Sequence, residues 1–234
     1  MSRRSRRGDR HHGVADTSHK RKVNYRQLRN TLIRQPAFSE DRLEAIHDTA
    51  LRVLEELGIK VLNDEARQIL AEAGARVDEG TKMVQFDRAM AAAALDSAPG
   101  EFVLHGRTPD RNVALGGDNV AFVCVGGAPH ISDLDRGKRP ATLEDTRNII
   151  RLSEHFDVIH LQSPNVESQD VPVHLRHYRV TESQLSLSRK PFFVYSRGSA
   201  QVEDAFAMAR IAYGLSRDEF EAKPWCYTII NTNS

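Results

Sequence analysis

The sequence contains only two cysteines, Cys124 and Cys226, among 234 residues. Two thiols cannot form the disulfide framework of a small secreted protein, so their scarcity favours a reducing compartment. The sequence also lacks any apolar run close to the roughly 18 residues that a membrane-spanning helix needs. We therefore predict a cytoplasmic protein that does not bind a membrane.

Several motifs that would identify an enzyme directly are also missing. There is no Walker-type phosphate loop and no dinucleotide-binding glycine-rich turn after a strand. The two cysteines could be combined with His130 or His160 as zinc ligands, but their spacing is not that of a zinc site. We expect no metal site, with the thiols in the core and His160 as a satisfied interior residue.

The net charge of +1 conceals an uneven distribution. Residues 1–30 carry ten Lys and Arg against two acids, or +8, and the remainder carries −7. Residues 1–35 have little to bury, so they are predicted to be a disordered basic tail. Such a tail could contact phosphate groups, but it has no base-reading feature, and a nucleic-acid partner is not expected.

Residues 36–117 are predicted to form a small α+β segment. Ser39, Asn63 and Asp87 are typical helix N-caps, and Gly58 is a typical helix stop. Residues 102–105 and 113–115 read as the two strands of a hairpin.

The region 118–234 shows a regular alternation of strands and helices. Apolar strands are predicted at 120–125, 158–162, 192–195 and 226–230, with helices from Thr142, over 173–187 and over 202–213. The last three strands start 34 residues apart. This period is typical of βα units in a parallel sheet, which begins both open doubly wound folds and (β/α)8 barrels. Because the sequence ends directly after the fourth strand, we interpret the region as the truncated first half of a (β/α)8 TIM barrel, an α/β fold.

In either architecture, ligands bind beyond the carboxyl ends of the strands. The side chains expected there are mostly amides and hydroxyls, which suit hydrogen bonding to a small polar ligand. We predict five substrate-binding residues: Asn165, Tyr195, Tyr227, Asn231 and Asn233. The rings of Tyr195, Trp225 and Tyr227 could face a cationic ligand, or they could simply pack in the core. No catalytic residue is predicted.

A series of short segments resembles one known family. In order they are LEAIH (43–47), LEELGI (54–59), AEAGARVD (71–78), SAP (97–99), FVLHGR (102–107), GG (126–127), DLDRGKRPAT (133–142), DVP (170–172) and INTNS (230–234). From about Phe38 to Ser234 the chain is similar to the N-terminal half of the trimethylamine methyltransferase family, which comprises corrinoid-dependent methylamine and betaine methyltransferases.

The resemblance implies a barrel of about twice this length. It implies methyl transfer from trimethylamine or a quaternary amine such as glycine betaine to the cobalt of a corrinoid protein. The corrinoid would be carried by that partner, with no cofactor bound directly, and pyrrolysine, where members use it, would lie in the second half. Two alternatives stay open: a barrel enzyme with another small-molecule substrate, and a non-catalytic protein that binds through its basic tail. Homo-oligomerisation is also left open.

Overall fold

The computed structural model describes residues 24–33 and 35–230, and it shows a mixed α/β chain, as predicted. The elements in chain order are β1 (Leu28–Arg29), α1 (Glu40–Arg52), β2 (Ile59–Lys60), α2 (Asp64–Glu72), β3 (Arg76–Asp78), β4 (Met83–Gln85), α3 (Arg88–Asp96), β5 (Glu101–Leu104), β6 (Val113–Gly116), β7 (Asn119–Val120), β8 (His130–Asp133), β9 (Gly137–Pro140), α4 (Leu143–His155), α5 (Arg176–Leu187), β10 (Phe192–Phe193), α6 (Ser199–Tyr213), α7 (Arg217–Glu221) and β11 (Cys226–Tyr227). A π-helical turn at Val53–Leu57 extends α1, and 3-10 turns occupy Pro109–Arg111 and Val173–Leu175.

The predicted caps of the N-terminal helices are largely confirmed. The side chains of Asn63 and Asp87 accept hydrogen bonds from backbone N–H groups in the first turns of α2 and α3. Ser39 precedes α1, although its side chain makes no cap hydrogen bond. Gly58 ends the helical segment at φ 74°, where an added Cβ would lie 2.2 Å from the Val84 carbonyl oxygen. The turn therefore requires glycine.

The N-terminal strands pair in antiparallel fashion. Strand β4 lies between β2 and β3, and β5 and β6 form the predicted hairpin. Two strands that were not predicted, β8 and β9, form a second hairpin immediately before α4.

The four predicted barrel strands adjoin in chain order, but their ladders are short. Val123 forms a parallel bridge with Leu161, Gln162 N donates to Pro191 O at 2.9 Å, and β10 pairs in parallel with β11. The predicted lengths are wrong: only Asn119–Val120 is strand near 120–125, only a bridge occurs within 158–162, and β10 and β11 have two residues each. No closed barrel is formed by residues 24–33 and 35–230.

Several side chains form hydrogen bonds with backbone N–H and C=O groups that would otherwise pair with a neighbouring strand. The Phe122 N–H donates to His160 Nδ1 at 2.9 Å. The Gln184 carboxamide bonds both backbone groups of Phe193, at 3.0 and 3.1 Å. Tyr227 Oη donates to the Gln162 carbonyl oxygen at 2.7 Å. Because every buried backbone group needs one partner, these bonds replace strand pairing.

The main core lies on the helix side of β10 and β11. Its buried members are Leu185, Phe192, Val194, Ala205, Ala209 and Phe220. A smaller cluster of Leu104, Val113 and Leu161 joins the β5–β6 hairpin to the second parallel segment.

The predicted disordered tail has the wrong boundary. Residues 1–23 and Arg34 lie outside the described residues, but Leu28–Arg29 forms β1, which pairs antiparallel with β7. Arg26 makes ion pairs with Asp110 at 3.0 Å and Asp157 at 2.7 Å. Residues 24–30, called the strap below, are therefore ordered because tertiary contacts compensate for their low apolar content.

Candidate functional site

Three aromatic rings share one face of the β10–β11 pair. Phe193 and Tyr195 lie two positions apart, and Phe193 is in register with Tyr227. The ring centroid of Phe193 is 5.3 Å from that of Tyr195 and 5.4 Å from that of Tyr227, both edge-to-face. The rings are half-buried, and the intervening residues Phe192 and Val194 pack in the core. Because side chains alternate along a strand, the aromatic face points away from the helices.

Glu167 and Arg197 complete this aromatic face at the carboxyl end of the strands. Tyr195 Oη donates to Glu167 Oε1 at 2.8 Å, and Arg197 Nη2 lies 3.4 Å from the same oxygen. The Arg197 guanidinium carbon is 4.6 Å from the Tyr195 ring centroid, a cation–π contact. The structure therefore already places one cation on this ring.

Both tyrosines are neutral hydrogen-bond donors. Burial, aided by the bond to Glu167, raises the pKa of Tyr195 well above its usual range. Burial likewise raises the pKa of Tyr227, whose hydroxyl donates to the Gln162 carbonyl oxygen. Their hydroxyls are thus committed to the protein. Tyr227 also packs against the smaller core cluster, so a ligand can use only the remaining ring surface.

The loop after the second parallel segment approaches the first very closely. A Cβ on Gly126 would lie 2.7 Å from Ser163 Oγ, and Gly127 N donates to Pro164 O at 3.1 Å. Ala128 then bridges Val166, and Glu167 N donates to Ala128 O at 2.8 Å. This packing fixes the backbone that carries Glu167. Gly126 permits the close approach, and Gly127 has a φ of 85°, which favours glycine.

The predicted substrate-binding residues have different environments. Tyr195 and Tyr227 share the aromatic face through Phe193. Asn165 is buried two residues before Glu167, and its Nδ2 donates to Ser163 O at 2.9 Å within its own loop. Asn231 and Asn233 lie outside the described residues.

Trp225 does not join the aromatic face. Its ring packs against His105 and Tyr213, at centroid distances of 5.5 and 5.7 Å. Of the two alternatives for this ring, core packing is therefore confirmed: Trp225 packs against the main core. It lies before β11, where strand alternation does not govern the direction of its side chain.

The cysteines and His160 occupy structural positions. Cys226 packs against the main core, where burial raises its pKa to about 11, and Cys124 Sγ lies 3.7 Å from Ser153 Oγ of α4. His160 is buried, which lowers its pKa, and its Nδ1 accepts a hydrogen bond from the Phe122 N–H. Within residues 24–33 and 35–230, its Nε2 makes no hydrogen bond of standard geometry. The expectation of a fully satisfied histidine thus holds for one ring nitrogen only.

Glu167 is the residue that the sequence reasoning missed. It follows Asn165 by two positions at a strand end, so the same rule that selected Asn165 could have selected it. Arg197 likewise follows the predicted strand at 192–195, but no role was predicted for it.

Residues 24–33 and 35–230 contain neither a candidate metal site nor a candidate membrane span. No three His, Cys, Asp or Glu side chains in these ranges converge as metal ligands would. No helix there has both the length and the apolar character of a membrane span.

Comparison with known proteins assigns the family. The sequence model of the trimethylamine methyltransferase family matches residues 3–234. The chain is 35% identical over 196 residues to a glycine betaine methyltransferase of Desulfitobacterium hafniense, covering 83% of this chain and 40% of that protein. It is 32% identical over 188 residues to a trimethylamine methyltransferase from another strain of that species, covering 80% and 38%.

A third relative is an L-carnitine:corrinoid methyltransferase of Eubacterium limosum, 34% identical over 137 residues, which cover 58% of this chain and 27% of that protein. The chain spans about two fifths of the length of the first two relatives. A match along almost its whole length means that this chain belongs to the trimethylamine methyltransferase family.

Proposed function

We propose that the chain is part of a methyltransferase that moves a methyl group from a methylated amine to the cobalt of a corrinoid protein. Relatives are named for glycine betaine, trimethylamine and L-carnitine, and one name includes the corrinoid acceptor. The observation that carries the proposal in this chain is the aromatic face of Phe193, Tyr195 and Tyr227 beside the Glu167 carboxylate.

The chemistry of a methylated ammonium group fits this face. Its positive charge is spread over methyl groups that donate no strong hydrogen bonds, so ring faces and a carboxylate recognise it better than amides do. The Tyr195 and Tyr227 hydroxyls are held by Glu167 and Gln162, which fixes the rings. The rings and Glu167 would orient the nitrogen so that one methyl points out of the site.

Cobalt(I) of the partner protein's corrinoid would supply the electron pair of the new Co–C bond and become cobalt(III), while the C–N bond breaks and its electron pair remains on the departing amine. An amine bound as a cation, whether quaternary or protonated tertiary, needs no further proton before that bond breaks. The role of this chain is therefore to hold and orient the substrate.

The same proposal includes the architecture. We infer that residues 118–234 are the first half of a (β/α)8 barrel that follows an α+β segment at 36–117. Support comes from the adjoining parallel segments at Val123, Leu161 and β10–β11. Asn231, Asn233 and Asn165 would line the same mouth. A cytoplasmic location is consistent with two cysteines that remain thiols.

Binding of tetramethylammonium and glycine betaine to the chain, followed by calorimetry or NMR, tests the site. We expect Tyr227→Leu to weaken binding by about 3- to 30-fold, the range of a desolvated cation–π contact. Tyr227→Phe keeps the ring and should retain most of the affinity.

Phe102→Leu is the matched control, because it also removes a half-exposed ring, in this case from β5. It should leave both binding affinities unchanged. Equal affinity for Tyr227→Leu and Phe102→Leu would exclude the aromatic face as the binding site.

A further inference from the structure

The charges around the aromatic face do not suit a purely cationic ligand. Glu167 contributes one negative charge, and Arg197 places a guanidinium both on the Tyr195 ring and beside Glu167. Arg176 lies near enough to act on Tyr195 electrostatically, while its Nε donates to Val171 O at 2.9 Å. One carboxylate and two guanidinium groups give this set a net charge of +1.

Arg197 occupies the place that a methylammonium group would take. A cation entering between the Tyr195 ring and Glu167 must displace the guanidinium from both. The displacement is feasible, since the Arg197 side chain is 61% exposed and its ion pair with Glu167 is long, at 3.4 Å. Glu167 is only 13% exposed, but it keeps the hydrogen bond from Tyr195 Oη when the guanidinium leaves.

The displaced guanidinium then needs a new partner. A ligand that carries only a positive charge provides none and repels Arg197 and Arg176. A ligand that also carries a carboxylate provides one, and guanidinium groups bind carboxylates in a bidentate geometry that a lysine cannot reproduce. Binding of a zwitterion would thus replace the ion pair between Arg197 and Glu167 with two new pairs. The ligand's ammonium group would pair with Glu167, and its carboxylate with Arg197.

We propose that Arg197 is a specificity-determining residue that selects methylated ammonium carboxylates over methylated amines without a carboxylate. The ligand's ammonium group replaces the guanidinium on Tyr195 and Glu167, and its carboxylate pairs with the displaced Arg197. This inference rests on the proposed function of the same site.

The test compares two ligands that share a quaternary ammonium group, glycine betaine and tetramethylammonium, binding to the full chain by calorimetry. We expect the wild-type chain to bind glycine betaine at least tenfold more tightly. Arg197→Gln should weaken glycine betaine binding about tenfold and leave tetramethylammonium binding unchanged or tighter. Arg197→Lys should restore part of the glycine betaine affinity.

Arg179→Gln is the matched control, because Arg179 is an exposed arginine paired with Glu182 on α5. It should alter neither affinity. The role of Arg197 would be overturned if the wild-type chain bound both ligands equally tightly, or if Arg197→Gln lowered the affinity for both by the same factor. Neither result would contradict the proposed function. Absence of binding of either ligand would overturn the proposed site itself, and this inference with it.

Discussion

Lys190 is a charged side chain buried to 3% exposure just before β10. Its Nζ donates to the carbonyl oxygens of Ser153 and Phe156, at the C-terminal end of α4. Carbonyl groups at this end of a helix lack intrahelical partners, so a buried ammonium group satisfies them. Burial lowers the pKa of Lys190 from 10.5 to about 8.

This shifted pKa predicts a pH dependence of stability. Between about pH 8 and 10.5 the unfolded chain holds a proton on Lys190 that the folded chain has released. The unfolding free energy contributed by this group therefore rises with pH, by at most about 1.4 kcal/mol per pH unit. Below about pH 8, Lys190 is protonated in both the folded and the unfolded chain. Its contribution to the unfolding free energy then no longer changes with pH and is at its lowest.

Urea denaturation of the wild type and Lys190→Met at pH 7, 8.5 and 10 measures the effect. The stability of the wild type relative to the variant should increase between pH 7 and 10. Lys138→Met, at an exposed lysine of β9, should show no such trend. A difference between wild type and Lys190→Met that stays constant with pH would contradict the assignment.

The hairpin β8–β9 and helix α4 are connected through one carboxylate. Asp145 accepts two hydrogen bonds from Arg139 of β9, at 2.5 and 2.6 Å, and two from the N-cap residue Thr142. Asp145 is 6% exposed, and the Arg139 guanidinium holds the pKa of its carboxyl far below the usual range. Thr142 and Asp145 form a capping box, in which each side chain accepts a hydrogen bond from the other residue's backbone N–H, and this capping box also anchors the hairpin.

Asp145→Asn should destabilise the chain by about 1–3 kcal/mol, because it removes the nearer of two carboxylates that pair with the half-buried Arg139 and leaves only Asp133, at 3.2 Å. Hydrogen exchange at 130–140 should accelerate along with it. In the wild type, this stabilisation is fully present above pH 4 and declines as the pH falls towards the depressed pKa.

Asp135→Asn, in the exposed turn of the hairpin, is the control and should cost under about 0.5 kcal/mol. The coupling of hairpin and helix is refuted if Asp145→Asn lowers stability without faster exchange in the hairpin.

The sequence predicted elements whose signals are local. The Thr142 capping box, the Asn63 and Asp87 caps and the β5–β6 hairpin all depend on residues within a few positions of one another. The β8–β9 hairpin escaped prediction because its segment HISDLDRGKRP consists mainly of charged and turn-forming residues with low strand propensity. Arg139 and Asp145, six residues apart, stabilise it through a tertiary ion pair that has no periodic signature.

At the scale of the whole molecule, the candidate site was predictable in part. The strand-end rule predicted Tyr195, whereas Tyr227 was predicted as an aromatic ring that could face a cation. Side-chain alternation along short strands explains their common face. The contact of Arg197 with both Glu167 and Tyr195 depends on the loop conformations after two separate strands. The loop that leads to Glu167 is shaped by the close packing of Ser163 and Pro164 on Gly126, which the sequence pattern alone does not specify.

The strap joins the N-terminal part of the chain to two distant regions, and this connection can be tested by truncation. Deleting residues 2–23 removes eight of the ten Lys and Arg in the first thirty residues but leaves the strap. Since the sequence predicts no packed structure there, the unfolding free energy should stay within about 0.5 kcal/mol of the full chain.

Deleting residues 2–30 should cost about 2 kcal/mol, because it removes the β1–β7 pairing and two partly exposed ion pairs of Arg26. Asp110 and Asp157 would lose their ion pairs with Arg26 and keep those with Arg111. Arg26→Gln in the full chain should reproduce about half of this loss, and Arg29→Gln serves as its control. Equal unfolding free energies of the two deletion variants in urea denaturation would show that the strap does not stabilise the fold. Residues 24–30 would then contribute no more than residues 2–23.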